Sequence, residues 1–149
     1  FMVLDKDIIP VKPEKVDELV KLWELSVRAT HFFLSESDIV ALRPLVKEGI
    51  KQLENVYCIC DEWDKAVAFM GIEGNKLEML FVHPQCRARG VGKKMINQAL
   101  SLGVRYVDVN EQNPQAVGFY EHLGFRRFRR SELDGQGNPF PILHLKLKK

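Results

Sequence analysis

Two glycines and several basic side chains stand together in residues 87–93, RARGVGK, directly after an apolar segment. The pattern is typical of a strand that turns into a helix. The first turn of a helix has unpaired backbone N–H groups and the positive end of the helix dipole, and both attract phosphate oxygens. Gly90 and Gly92 have no Cβ, so the backbone can approach a ligand closely. The stretch therefore predicts a site for a pyrophosphate-bearing cofactor.

The glycine spacing excludes two common phosphate-binding loops. The P-loop pattern G-x-x-x-x-G-K-[ST] fails because Lys94 stands where Ser or Thr is required, and because no glycine lies five residues before Gly92. The dinucleotide fingerprint G-x-G-x-x-G fails because its third glycine is replaced by Met95. On this stretch alone, an ordinary strand-to-helix turn with solvated basic side chains is an equal alternative.

A second segment, residues 107–125, reads VDVNEQNPQAVGFYEHLGF and follows the glycine turn after one predicted helix. Its Asn, its Ala, its Phe-Tyr-Glu and its Leu-Gly-Phe, taken with Arg87-x-x-Gly90-x-Gly92, resemble the motifs of the GNAT superfamily of acetyl-CoA-dependent N-acetyltransferases. The order and the distance of the two segments also match. The resemblance covers nearly the whole chain and is closest to small, single-domain bacterial members.

This resemblance implies an α/β (α+β) fold, with a mixed central sheet of about seven strands and helices on both faces. It implies direct transfer of an acetyl group from acetyl-CoA (coenzyme A) to a primary amine of a small molecule, peptide or protein, without a metal. A non-catalytic sensor that binds acetyl-CoA is the alternative. The cofactor-binding residues implied are Leu80, Phe81, Val82, Arg87, Ala88, Arg89, Gly90, Val91, Gly92, Lys93, Asn113, Ala116 and Phe119.

The resemblance places Tyr120 as the general acid. A phenol of pKa near 10 can pass a proton to a departing thiolate whose conjugate acid has a pKa near 8.5. This transfer is mildly uphill, so the site must lower the pKa of the phenol or stabilise the thiolate. Without the resemblance, an aromatic side chain beside Phe119 on an amphipathic helix is more typical of a core position.

The general base has several candidates, and water is among them. Glu78 comes first, because strand alternation predicts that it shares a face with Leu80 and Val82. Glu111 is the second candidate and His31 the third. The predicted substrate-binding residues are His31, Phe32, Asn110 and Glu111.

Two further features have a double interpretation. Asn113 is predicted to cap the helix that begins at Pro114, and the resemblance implies that it also contacts the cofactor arm. Four arginines in residues 126–130 are predicted to be mostly solvated charges on a strand. They could also attract an acidic acceptor or the ribose phosphate of the cofactor.

Hydrophobic periodicity divides the chain into the order β-α-α-β-β-β-α-β-α-β-β. The predicted strands are residues 8–11, 56–60, 66–72, 77–82, 106–110, 125–130 and 142–147. The predicted helices begin at Pro13, at Ser35 or Ser37 as the cap, near Gly90, and at Pro114. No linker interrupts this order, so we expect one domain, residues 2–149. Phe1, which precedes Met2, is expected to be an added residue.

Composition agrees with a folded domain but does not specify its function. Hydrophobic residues make up 46% and charged residues 28% of the 149 residues, and a net charge of +2 does not suggest a nucleic-acid partner. No apolar run reaches the roughly 18 residues of a membrane span, and no signal peptide is recognisable. The three cysteines are odd in number and lack a C-x-x-C spacing, so a reducing, cytoplasmic location is expected. The acceptor and the choice between monomer and homodimer stay open.

Overall fold

The computed structural model describes residues 7–148, and Phe1 lies outside the described residues. The strands in this part of the chain are β1 Ile9–Pro10, β2 Asn55–Cys60, β3 Ala66–Glu73, β4 Lys76–Val82, β5 Tyr106–Asn110, β6 Phe125–Ser131 and β7 Ile142–Leu147. The helices are α1 Val16–Thr30, α2 Glu36–Gln52, α3 Val91–Ser101 and α4 Pro114–His122. The predicted order of elements and the predicted fold class are confirmed.

Local capping explains where the helices begin. Ser35 caps α2, and its side chain and that of Asp38 each accept a hydrogen bond from the other residue's backbone N–H. The side chain of Asn113 accepts from the Ala116 N–H at the start of α4. The first helix differs from the prediction, because Pro13–Lys15 form a 3-10 turn and α1 begins only at Val16.

The sheet has the strand order β1-β2-β3-β4-β5-β7-β6. All neighbours are antiparallel except β4 and β5, which run parallel and pair only at Lys76 with Tyr106 and at Leu77 with Val107. Beyond Leu77 these two strands are not paired with each other. The sheet is therefore split along the C-terminal halves of β4 and β5.

Two apolar cores lie on opposite faces of the sheet. One core packs α3 and α4 against the sheet, and its fully buried side chains include Met95, Phe125 and Leu145. The other packs α1 and α2 against β2 and β3, around Leu19 and Phe69. Each such side chain contributes about 1.5–3 kcal/mol when it is removed from water. The split between β4 and β5 is thus held between two packed layers.

None of the helices within residues 7–148 is both long and apolar enough to cross a membrane.

Candidate active site

A cleft of about 730 Å³ occupies the split in the sheet. Its walls are β4 and β5. The C-terminal end of α1 contributes residues from one face of the sheet, and α4 contributes residues from the other. Ligand sites typically measure about 300–1,000 Å³, so the cleft can hold a cofactor-sized molecule.

A β-bulge shapes the β4 wall. Gly71 of β3 is opposite Met79 and Ile72 is opposite Leu77, so Glu78 is an extra residue on β4. Because of this extra residue, Leu77 packs in the same core as Leu80 and Val82. The alternation predicted through Glu78 is therefore wrong, although Glu78 does line the cleft.

The glycine turn forms the basic end of the cleft. Gly90 is the N-cap of α3 and has a φ of +80°, in the left-handed region that favours glycine. Ala88 also has a positive φ, of +65°. The Lys94 N–H is the first to have an acceptor within the helix, the carbonyl of Gly90. The amides of residues 91–93 therefore have no acceptor inside α3, as an anion site requires.

Gly92 is needed for a different structural reason from Gly90. A Cβ on Gly92 would lie 3.2 Å from Cζ of Phe119, which also lines the cleft. The glycine thus lets α3 approach α4 closely. Arg87 donates a hydrogen bond to Oε1 of Gln115, which ties the glycine turn to the first turn of α4.

Most of the predicted cofactor residues lie together in this cleft. Those that line it are Leu80, Phe81, Val82, Arg87, Ala88, Gly90, Gly92, Lys93, Asn113, Ala116 and Phe119. Arg89 is not among the lining residues, and the Val91 side chain is buried in the core instead.

Tyr120 lines the cleft from α4 and is 7% exposed. Its ring contacts Phe119 and Phe125, with centroids 5.1 Å and 5.8 Å away. Burial raises the pKa of Tyr120 above its usual value. The phenol is therefore protonated at neutral pH, and it can donate a hydrogen bond into the cleft.

His31 approaches the cleft from the opposite face of the sheet, at the end of α1. Thr30 donates its hydroxyl proton to the carbonyl of Ser26, at 2.9 Å, and Nδ1 of His31 lies 2.7 Å from the same hydroxyl. Since the hydroxyl proton is already used, Nδ1–H must be the donor, which leaves Nε2 as an acceptor. Burial lowers the pKa of His31 to about 4, so the ring is neutral at pH 7.

The other predicted substrate residues are divided between the cleft and the surface. Asn110 lines the cleft. Phe32 does not, and it is 82% exposed. It is Phe33 that turns inward, with its ring 5.3 Å from that of His31. Glu111 also lies outside the cleft lining, where Arg130 binds its carboxylate through two hydrogen bonds of 2.7 and 2.9 Å.

Asp108 is a cleft residue that the sequence analysis did not select. Its carboxylate lies 2.7 Å from Nζ of Lys76 and 2.7 Å from Nδ1 of His144. Nε2 of His144 lies 2.7 Å from the Ser131 hydroxyl. The alternation of Asp108 between Val107 and Val109 was the available signal, because it places Asp108 on the face away from the core. No group of three or more metal-ligating side chains occurs within residues 7–148.

Comparisons with known proteins agree with this geometry. The profile of the GNAT acetyltransferase domain matches residues 52–127, about half of the chain. The chain is 41% identical over 133 residues to the peptidyl-lysine N-acetyltransferase YjaB of Escherichia coli strain K12, with 89% of this chain and 90% of that protein covered.

Solved structures give the same result. The solution structure of apo-form YjaB from Escherichia coli has a TM-score of 0.87 at 39% identity, over 95% of this chain and 96% of that one. The PaiA N-acetyltransferase of Thermoplasma acidophilum, in complex with coenzyme A, has a TM-score of 0.71 at 18% identity, over 95% and 98%. The second likeness concerns the fold alone. The chain is an N-acetyltransferase, and it belongs to the GNAT acetyltransferase family.

Proposed function

We propose that this enzyme transfers the acetyl group of acetyl-CoA to the ε-amine of a lysine in a peptide or protein. The observation that carries the proposal is one cleft lined both by the basic glycine turn, which follows β4, and by Glu78 and Asp108, which lie next to the last β4–β5 pair. His31 also lines this cleft, and we call the part lined by His31, Glu78 and Asp108 the acceptor end. The name of the Escherichia coli relative, a peptidyl-lysine N-acetyltransferase, supports a lysine as acceptor.

The residues of the cleft fit acetyl-CoA, which when bound supplies an acetyl thioester. The α3 amides of residues 91–93, with Arg87 and Lys93, would hold the pyrophosphate. The edge of β4 beyond Leu77 has no partner in β5, so its backbone is available to pair with the amides of an extended pantetheine arm. On this arrangement an N–H of β4 would polarise the thioester carbonyl, as an oxyanion-hole donor does.

Tyr120 acts, in this proposal, by hydrogen bonding to the leaving sulfur. Because burial raises the pKa of Tyr120, complete transfer of its proton to a thiolate is less favourable than at the usual phenol pKa. A protonated phenol can still donate a hydrogen bond to the developing negative charge. Because the phenol has a higher pKa than the thiol, the site must stabilise the thiolate if the proton is to be transferred. The hydrogen bond from Tyr120 provides this stabilisation before the proton moves.

The acceptor amine must lose a proton before it attacks. A lysine ammonium has a pKa near 10.4, so only about one molecule in 2,500 is neutral at pH 7. We assign this proton to Glu78, directly or through water, because Glu78 lines the cleft at the bulge of β4. Nε2 of the neutral His31 ring is assigned to accept a hydrogen bond from the amine.

The first test is acetyl transfer itself, measured by mass with acetyl-CoA and a panel of lysine peptides, amino acids and small amines. Mass is the better signal, because thiol reagents could also react with the cysteines of the chain. We expect acetylated lysine peptides, and we expect Tyr120→Phe to lower kcat by about 100-fold while acetyl-CoA still raises the melting temperature. Tyr57→Phe, on β2, is the matched control and should leave kcat unchanged.

Each other outcome has a defined meaning. Unchanged kcat in Tyr120→Phe would overturn the role of the phenol. Acetylation of small amines alone would overturn the lysine acceptor. Binding of acetyl-CoA with no product from any amine would favour a cofactor sensor.

We also propose a cytoplasmic location. Cys58, Cys60 and Cys86 are all buried and in thiol form, and Sγ of Cys58 lies 3.8 Å from Sγ of Cys60, within hydrogen-bond distance but without a disulfide. Thiols persist in reducing compartments. This supports the cytoplasm as the place where the enzyme meets its acceptors.

A further inference from the structure

The strands β5, β7 and β6 present one face that belongs to neither core. Cross-strand partners in an antiparallel sheet project to the same side. Tyr106 is opposite Lys146, which is opposite Arg126, and these three form one row. Asp108 is opposite His144, which is opposite Arg129, and these form the next row. We call these six residues, together with Phe128, the open face.

Positive charge predominates on the open face. Arg126, Arg129 and Lys146 are exposed, and none of the three forms an ion pair with another of the described residues 7–148. The one carboxylate of the face, Asp108, already forms an ion pair with Lys76 and lies within hydrogen-bond distance of the His144 ring. The face can therefore accept additional negative charge.

An exposed aromatic side chain lies among these cations. Phe128 is the extra residue of a β-bulge between Arg127 and Arg129, and it is 54% exposed. Its ring lies 5.9 Å from the ring of Tyr106 and 6.4 Å from that of His144. The open face thus combines apolar surface with unpaired cations, as peptide-binding surfaces often do.

The open face is continuous with the acceptor end of the cleft. Asp108 belongs to both, and Asn110, two residues further along β5, also lines the cleft. A peptide whose lysine enters the cleft from this side would lay its neighbouring residues on β5, β7 and β6.

We infer that the open face binds acidic residues that flank the acceptor lysine, so that the enzyme prefers acidic peptides. The inference rests on the proposed function, because it concerns the surroundings of the same acceptor amine. The chemistry is the attraction of Asp and Glu carboxylates to Arg126, Arg129 and Lys146. Phe128 adds an apolar contact for the part of the peptide that lies between its acidic residues.

Two other occupants fit less well. Two copies joined through this face by a two-fold axis would bring the same three cations against each other, which is unfavourable. A nucleic acid would match the charge, but the face leads into a cleft whose proposed acceptor is an amine, and nucleic-acid phosphate supplies none.

The test compares three peptides of equal length, each with one central lysine and a blocked N-terminus, whose neighbours are glutamate, serine or arginine. We expect KM for the glutamate peptide to be about tenfold below that for the serine peptide, with similar kcat, since each exposed ion pair contributes modestly. The arginine peptide should have the highest KM. The preference should shrink at 0.5 M salt, because exposed charges are screened.

Charge reversal on the two faces of β6 gives the matched comparison. Arg126→Glu with Arg129→Glu should abolish or invert the preference for the glutamate peptide, and Arg126→Gln with Arg129→Gln should weaken it. Arg127→Glu is the control, because Arg127 is opposite the buried Leu145 and so lies on the other side of the sheet. Melting temperatures with and without acetyl-CoA would check that each variant is folded.

The results separate this inference from the proposed function. Acetylation of none of the peptides would overturn the proposed function. Acetylation of all three with equal KM would overturn only the inference, as would an equal effect of Arg127→Glu. A dimer that dissociates in the Arg126 and Arg129 variants would assign the face to a second copy. Competition by oligothymidylate as strong as by the glutamate peptide would assign it to nucleic acid.

Discussion

Burial acts on two titratable side chains of the cleft in the same direction, toward the neutral form. The Tyr120 phenol keeps its proton, and the His31 ring does not gain one, because a charge on either would lose hydration. The neutral His31 ring can accept a hydrogen bond on one side of the cleft, and the neutral Tyr120 phenol can donate one on the other. This pair suits a reaction in which a neutral amine attacks and a sulfur atom leaves.

The pKa of His31 predicts that the enzyme is sensitive to mild acid. Its folded-state pKa of about 4 lies below the usual 6.5, so below pH 6.5 the unfolded chain binds a proton that the folded chain does not. The stability contribution is complete above pH 6.5 and is lost as the pH falls toward 4. We expect the free energy of unfolding to fall by about 2 kcal/mol over this range, after allowance for partial exposure of the ring.

Urea unfolding of the protein without acetyl-CoA, at a series of pH values, would measure this loss. His31→Gln should remove the His31 part of the loss between pH 6.5 and 4, about 2 kcal/mol, and leave the part that comes from ion-paired carboxylates. His122→Gln, on the exposed surface of α4, is the control for loss of an imidazole. An unchanged pH dependence in His31→Gln would contradict the prediction.

Residue types in the sequence indicated the chemistry, but single positions were harder to assign. The run Thr30 to Leu34 contains two adjacent phenylalanines, and nothing in their order shows that Phe33 turns toward His31 while Phe32 points to solvent. Phe33 packs against the ring of Phe140, which is 5.5 Å away and more than a hundred residues later in the chain. A local pattern cannot contain such a contact.

At the scale of elements, the strands and helices were predictable because their side chains carry the signal. The bounds of β5 and β7 agree with the prediction, and α4 begins at the predicted proline. The bulge at Glu78 was not predictable, because it depends on how β4 aligns with β3. Because of the bulge, Glu78, the candidate base, does not lie on the face that simple alternation predicts.

The two glycines of the turn should respond differently to a methyl group. Gly90→Ala meets no atom within 4 Å but must adopt a φ of +80°, so we expect a stability loss of about 1 kcal/mol and near-normal affinity for acetyl-CoA. Gly92→Ala has ordinary helical geometry but crowds Phe119, so we expect weaker acetyl-CoA binding.

Calorimetric titration with acetyl-CoA and urea unfolding of each variant would separate these effects. Gly118→Ala, within α4 and with no atom near the added methyl group, is the control and should be neutral or slightly stabilising. Equal losses of affinity at Gly90 and Gly92 would contradict the distinct reasons given for them.

At the scale of the whole molecule, the cleft is reached from both faces of the sheet. His31, directly after α1, and Tyr120 on α4 line it from opposite sides, so the acetyl donor and the amine acceptor need not enter by the same side. Cys86, the one thiol in the lining, has its pKa raised by burial, which makes it a poor nucleophile. We therefore expect both substrates to be bound together before transfer.

Initial rates measured over a grid of acetyl-CoA and peptide concentrations would test whether both substrates bind before transfer. Double-reciprocal lines should intersect, and Cys86→Ala should retain the same pattern. Parallel lines, with an acetyl group found on the protein, would instead indicate a covalent intermediate.

Long-range contacts explain which part of the site was missed. Asp108 and His144 are separated by 36 residues, and their 2.7 Å contact exists only because β5 and β7 pair in one register. The family motifs predict the proposed cofactor half of the cleft, where turn and helix residues are close in sequence. The proposed acceptor half is assembled from the end of α1, β4 and β5, which are far apart in the chain, and so the sequence alone does not define it.

The two outer strands of the sheet have a consequence for behaviour in concentrated solution. An unpaired strand edge can recruit strands from other molecules and start an aggregate. Here β1 is two residues long and ends in Pro10, while β6 is interrupted by its bulge and carries four arginines. Neither edge offers the long, flat and uncharged template that such growth requires, so the two outer strands do not favour aggregation by edge-to-edge pairing.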